Sequence, residues 1–153
     1  MTQFRLLAGV LALTGLVLTA PQPAEAKLGA TLDSSIKVAR AHKKDLMGVI
    51  YFVKGGKVVK ESWNSEMSGW PVKTADRYRT LLIGAKKLKT QTPNKRGTLF
   101  TYTDGTQVQY NEARGVVITL DVMAPSYKAA DEGAGKYQEV ADWKEAPWKG
   151  RPW

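Results

Sequence analysis

The sequence predicts an α+β fold: two helices packed on one face of a single antiparallel sheet of about five strands, two layers in all, with an extended C-terminal tail. Three observations predict it. Two segments carry apolar residues at helical spacing. Several short runs alternate apolar with polar residues and are separated by glycine turns. Both patterns stop after Pro125. Amphipathic helices and a sheet with two unlike faces pack most simply as two layers around one core.

The chain opens with a segment that reads as a cleavable leader over residues 1–26. Arg5 follows Met1 closely, Leu6 to Leu18 is apolar apart from Gly9, Thr14 and Gly15, and Ala24-Glu25-Ala26 offers small residues where a signal peptidase needs them. The apolar stretch is too short for a bilayer core, which needs about 20 residues. The expectation is therefore export, periplasmic or secreted, after cleavage near Ala26. Residues 27–124 form the globular domain, 125–153 form a tail, and no segment spans a membrane once the leader is gone.

The elements follow in order. Thr31 is a good N-cap, and Leu32, Ile36 and Ala39 make one stripe of a helix over about 32–44. Val49 to Val53 and Val58 to Trp63, around Gly55-Gly56, read as a hairpin. Ser62 to Pro71 is looser. Thr74 caps a second helix, striped by Tyr78, Leu81, Leu82 and Ala85. Thr90 to Gly97 reads as a loop, because Pro93 and Asn94 interrupt any pattern. Thr98 to Thr103, Thr106 to Tyr110 and Val116 to Met123 then form a meander, with Asp104-Gly105 and Arg114-Gly115 as its turns. Val116, Ile118, Leu120 and Val122 fall on one face. Residues 126–153 show no period and read as extended or disordered, with a helical turn near Tyr137–Trp143.

Leu28-Gly29-Ala30-Thr31 opening a helix, followed by Tyr51-Phe52-Val53-Lys54-Gly55-Gly56-Lys57-Val58-Val59 as a hairpin, resembles the small exported domains of outer-membrane-assembly lipoproteins and β-lactamase-inhibitor-protein repeats. The resemblance spans residues 27–123, more fully over 27–60 than over 98–123. It implies two helices on an antiparallel sheet and a role in binding other proteins. The sequence departs from that pattern in two places: no lipid-bearing cysteine is present, and Ala41-His42-Lys43-Lys44 stands where Gly-x-Pro would follow the first helix.

Composition narrows the chemistry. There is no cysteine and a single histidine, which excludes disulfides, cysteine-type zinc sites and histidine-rich metal sites. The net charge is +9, and the leader's Arg5 and Glu25 cancel, so the domain keeps all of it. Such an excess draws polyanions or serves solubility. No Gly-x-x-x-x-Gly-Lys cradle occurs, Asp131-Glu132 lacks the spacing of a calcium loop, and no nucleophile motif accompanies His42. Of the carboxylates in or beside strands (Glu61, Glu112, Asp121), Glu61 stands out because Trp63, two residues on, points the same way. A carboxylate beside an indole suits a sugar cleft or simply a strand's exposed face.

Two clusters are candidates for binding. Arg77, Arg79, Lys86, Lys87, Lys89, Lys95 and Arg96 could form one positive ridge able to grip phosphates or carboxylates, or a solvated helix end. Trp143, Trp148 and Trp153 recur at a spacing of five, each near Lys or Arg. They suit packing onto the open sheet face, docking to a partner or glycan, or contact with a membrane surface. The expected function is that of a non-enzymatic envelope binding module that engages a protein or an anionic polymer. It has no catalytic residue, metal or cofactor, and export argues against nucleic acid. The alternatives are a small secreted hydrolase of glycans or peptides built on Glu61 and Trp63, and a structural envelope protein.

Overall fold

A computed structural model describes residues 28–143. The leader, Trp148 and Trp153 lie outside them. α1 (Leu32–Arg40) begins where Thr31 Oγ1 accepts from the Ser34 N–H at 3.4 Å. A 3₁₀ turn at Lys43–Asp45 follows it in place of further α-helix. β1 (Leu46–Lys54) and β2 (Lys57–Ser65) meet at Gly55 and Gly56, whose φ values of 59° and 74° suit a two-residue hairpin turn. α2 (Val72–Ile83) starts after Pro71, two residues before the expected cap, and Gly84 ends it. Then come β3 (Leu88–Asn94), β4 (Gly97–Tyr102), β5 (Gln107–Ala113) and β6 (Val116–Met123). The short α3 (Ala129–Gly133) and β7 (Gln138–Trp143) complete the described chain.

All seven strands join one antiparallel sheet in the order β3-β4-β5-β6-β2-β1-β7. This corrects the expected fold of two helices on about five strands: the described residues are sheet-dominated, 47% strand. The two additional strands are the two edges. Thr90 to Gly97, expected as a loop, lies mostly in β3, and the helical turn expected near Tyr137–Trp143 is β7. β3 is exposed throughout and β7 only partly buries Val140, Asp142 and Trp143, so neither carries the apolar alternation that marks a half-covered strand. Pro93 is tolerated in β3 because an edge strand can turn its missing N–H outward.

α1 and α2 cover one face of the sheet. Trp63, Tyr51 and Leu120 are fully buried there, joined by Val38 and Ala39 of α1 and by Ala75, Tyr78 and Leu82 of α2. The Tyr78 ring lies 5.8 Å from Trp63 and 5.0 Å from Trp70, centroid to centroid. Side chains of this size stabilise by about 1.5–3 kcal/mol each when fully buried. Asp45 ties the cluster to the 3₁₀ turn: its carboxylate accepts from Tyr78 Oη at 2.5 Å and its carbonyl from Trp70 Nε1 at 2.9 Å. A β-bulge in the β5–β6 pairing changes one expected face. Asn111 faces Thr119 but Glu112 faces Val117, so Val117 is fully buried and Ile118 is 39% exposed.

The opposite face is polar. Ser62 Oγ donates to Asp121 Oδ1 at 2.6 Å, and Asn111 Nδ2 donates to Asp121 Oδ2 at 3.0 Å and to Thr119 Oγ1 at 2.6 Å. One end of this face carries a small apolar cluster of Phe52, Val59 and Tyr137, with Tyr127 packed on it. Lys60 pins the crossing segment. Its Nζ lies 4.6 Å from the Phe52 ring centroid and donates to Glu132 Oε2 at 2.8 Å. Cation–π contacts of this kind are worth about 0.5–2 kcal/mol. Burial alone would raise the Glu132 carboxyl, but the hydrogen bonds from Lys60 and Tyr127 outweigh it and hold the group below its ordinary range.

Candidate functional site

The seven cations expected to form a ridge are dispersed by the fold. Arg79 is turned inward. Its guanidinium lies 4.1 Å from the Phe100 ring centroid and donates at 2.9 Å to both Tyr102 Oη and Tyr110 Oη. It also reaches Asp76 Oδ1 at 3.2 Å. It therefore fastens α2 to β4 and β5. Arg77 lies on the exposed side of α2, in a shallow groove with Lys73, Asp76 and His42. Lys86 pairs with Asp104. Only Lys87, Lys89, Lys95 and Arg96 share one region, the outer rim formed by β3 and the segments at its two ends.

That rim is the most open part of the sheet. All seven residues of β3 are exposed, and its outer side pairs with no other strand among the described residues. Lys87 and Lys89 flank its start; Lys95 and Arg96 form the β3–β4 turn. The turn is held rigidly. Asn94 Oδ1 accepts the Arg96 N–H at 2.9 Å and the Gly97 N–H at 3.1 Å, and Arg96 O accepts the Glu112 N–H at 2.7 Å. Arg96 Nη2 stands 3.7 Å from Asp121 Oδ2 yet stays 60% exposed. The register shift between Leu88 and Thr90, Lys89 within it and Pro93 beyond it are devices that discourage edge-to-edge strand pairing. The rim therefore presents side-chain charge beside the unpaired outer side of β3.

Glu61 and Trp63 do point the same way, as their spacing requires: Trp63 Nε1 donates to Glu61 Oε2 at 2.9 Å. They point into the core, beneath α1, where Glu61 is 1% exposed and Trp63 is fully buried. Burial raises the Glu61 carboxyl well above its ordinary range, tempered by Trp63 and the nearby Ser35 hydroxyl. Glu61 Oε1 and Ser35 Oγ each lack a partner of good hydrogen-bond geometry. A carboxyl enclosed in this way lines no cleft, so the pair supplies no sugar site. His42 is half-buried, edge-on to Tyr78 at 5.7 Å and tilted to Trp63 at 6.5 Å, packed against the aromatic cluster.

Of the three tryptophans, Trp143 alone is described. It ends β7 opposite Gly48, and its indole lies so close over that glycine that a Cβ there would meet Trp143 Cδ2 at 2.7 Å. Beside it, Asp142 accepts two hydrogen bonds from Arg40 of α1, both 2.9 Å long. A cavity of about 380 Å³ opens at this edge, lined by Arg40, Lys43, Met47 and Trp143 among others.

Sequence reasoning passed over Lys54 and Lys57. They close the β1–β2 hairpin directly opposite each other and line a second cavity with Lys86. The Lys-Gly-Gly-Lys run was the available signal, since it places two like charges across a tight turn. Among the described residues no group of three or more His, Asp or Glu side chains could hold a metal ion, and no helix is long and apolar enough to cross a membrane. Comparison of the chain with family models, curated proteins and solved structures finds no match.

Proposed function

We propose that this protein is an exported, non-enzymatic binding module of the cell envelope, which engages an acidic protein face or an anionic polymer through the rim around β3. One observation carries the reading: a wholly exposed seven-residue edge strand bears Lys87, Lys89, Lys95 and Arg96 at its two ends. The net charge of +9 supports it by drawing polyanions to the molecule. The resemblance of residues 27–123 to small exported binding domains points the same way. The enclosure of Glu61 removes the main support for a hydrolase.

The test is titration of the full chain with poly-L-glutamate and with a polymer of phosphodiester-linked glycerol, at low and at moderate salt. The wild type binds one or both, and affinity falls at least about tenfold between 50 and 200 mM salt, as screening of several surface ion pairs requires. A variant carrying Lys87→Glu, Lys89→Glu, Lys95→Glu and Arg96→Glu loses binding. A variant of equal net charge with Lys37→Glu, Lys43→Glu, Lys73→Glu and Arg77→Glu on the helical side retains it. Equal loss in both variants would assign the attraction to net charge and overturn the rim as the site.

A further inference from the structure

The β1–β2 hairpin ends in an arrangement that is unfavourable on its own. Lys54 and Lys57 are register partners, directly opposite across a two-residue turn. Like charges so placed destabilise a sheet. Among the described residues Lys57 has no carboxylate partner, and Lys54 has a distant one, Asp131 Oδ2 at 3.9 Å, with the Tyr137 ring centroid 5.8 Å away. Asp131 is itself engaged by Lys136 at 3.1 Å.

The same hairpin end forms one wall of a cavity of about 410 Å³, of which Lys86 and Asp104 form another part. Lys86 leaves α2, and Asp104 sits in the β4–β5 turn, where it also accepts the Thr106 N–H at 2.9 Å. The hydrogen bond from Lys86 holds the Asp104 carboxyl at about 2, so it is ionised throughout the working range. Three lysines, two from the hairpin and one from the α2–β3 connection, thus line the same cavity as one carboxylate, while Asp131 reaches Lys54 from outside the lining.

The hairpin wall is tied to the segments beside it. Gly29 N–H donates to Val58 O at 2.8 Å, Val58 N–H to Ala30 O at 3.1 Å, and Ala124 N–H to Val59 O at 2.8 Å. Val58 and Val59 border the cavity from opposite faces of β2, the first fully buried and the second 6% exposed. Charges held on ordered elements attract an anion more strongly than the same charges on mobile chain.

We propose that this cavity binds a phosphate-bearing group, held by Lys57, Lys54 and Lys86. An excess of about two positive charges matches a phosphate monoester better than a monocarboxylate, and lysine serves phosphate as a point charge. Asp104 acts as the internal counter-ion of Lys86 and leaves the opposed lysines of the hairpin for the ligand. The proposal stands on residues other than those of the β3 rim and goes beyond it.

The experiment is an amide-resolved NMR titration of the full chain with inorganic phosphate, with acetate as the comparison anion. Saturable shifts are expected at residues 54–58, 86 and 104–106, with phosphate binding at least about tenfold tighter than acetate. Lys54→Ala together with Lys57→Ala weakens phosphate binding at least about tenfold. Phosphate raises the Tm of the wild type and not that of this variant. Because the substitutions relieve like-charge repulsion, the variant folds, and its dispersed spectrum reports that directly. The rim variant with Lys87, Lys89, Lys95 and Arg96 reversed keeps the phosphate response, so failure here and failure of the proposed function are told apart. Glycerol 1-phosphate and phosphatidylglycerol vesicles, with phosphatidylcholine vesicles as the blank, then show whether the group is soluble or a lipid headgroup. Non-saturating shifts spread over all basic surfaces, acetate matching phosphate, or unchanged affinity in the double variant would overturn the proposal.

Discussion

Glu61 sits beneath α1 with the indole of Trp63 as its one good hydrogen-bond donor. Its pH behaviour follows from that position. In the unfolded chain it titrates near the ordinary glutamate value of 4.5; in the folded protein burial raises it. A folded state that binds the proton more tightly has its full stabilisation below the unfolded pKa and loses it as pH rises toward the folded one. Unfolding free energy of the wild type therefore falls as pH increases above 4.5, by at most about 1.4 kcal/mol per pH unit from this one group. Glu61→Gln keeps the shape, needs no proton and removes that part of the slope. Denaturant melts of the two proteins across the range check it, and identical slopes would contradict the account. The spacing of Glu61 and Trp63 made their shared direction legible from sequence. It could not show which way they face, because strand alternation distinguishes two sides without saying which one the helices cover. Arg79 was misplaced for a related reason: a helical stripe marks its apolar members, and a guanidinium that stacks on Phe100 and bonds two tyrosines leaves no trace in hydropathy.

The helices, the β1–β2 hairpin and the β4–β5–β6 meander were legible because each buries one side, which writes a period into the sequence. The edge strands were not: β3 is exposed on both sides, and β7 buries too few apolar residues to write a period. β7 depends on a close approach instead. Gly48 lets the Trp143 indole lie over β1, and an added Cβ would stand 2.6 Å from Asp142 O and 2.7 Å from Trp143 Cδ2. Gly48→Ala is expected to loosen β7 at a cost of about 1–3 kcal/mol, the usual range for overpacking. Denaturant unfolding gives the cost, and faster amide exchange at residues 138–143 locates it. A loss of stability with unchanged exchange in β7 would place the strain elsewhere. The Arg40–Asp142 pair ties α1 to the same strand, so α1 should share in the loosening.

Taken together, the covered side of the sheet holds the core, the uncovered side holds a hydrogen-bonded polar network, and groups of cations stand at two borders of the sheet. The first is the β3 rim; the second is the end of the β1–β2 hairpin. The basic excess was plain in the composition, but its division between two borders was not. That division depends on β3 being a strand and on Arg79 and Lys86 being occupied by partners. The central claim is that the rim recognises an anionic envelope component. Affinity capture from an envelope fraction tests it most directly, with the wild type compared against the variant reversed at Lys87, Lys89, Lys95 and Arg96. The account expects an acidic protein or anionic polymer to be retained by the wild type, released by salt and absent from the variant. The same retained component on both proteins would contradict it.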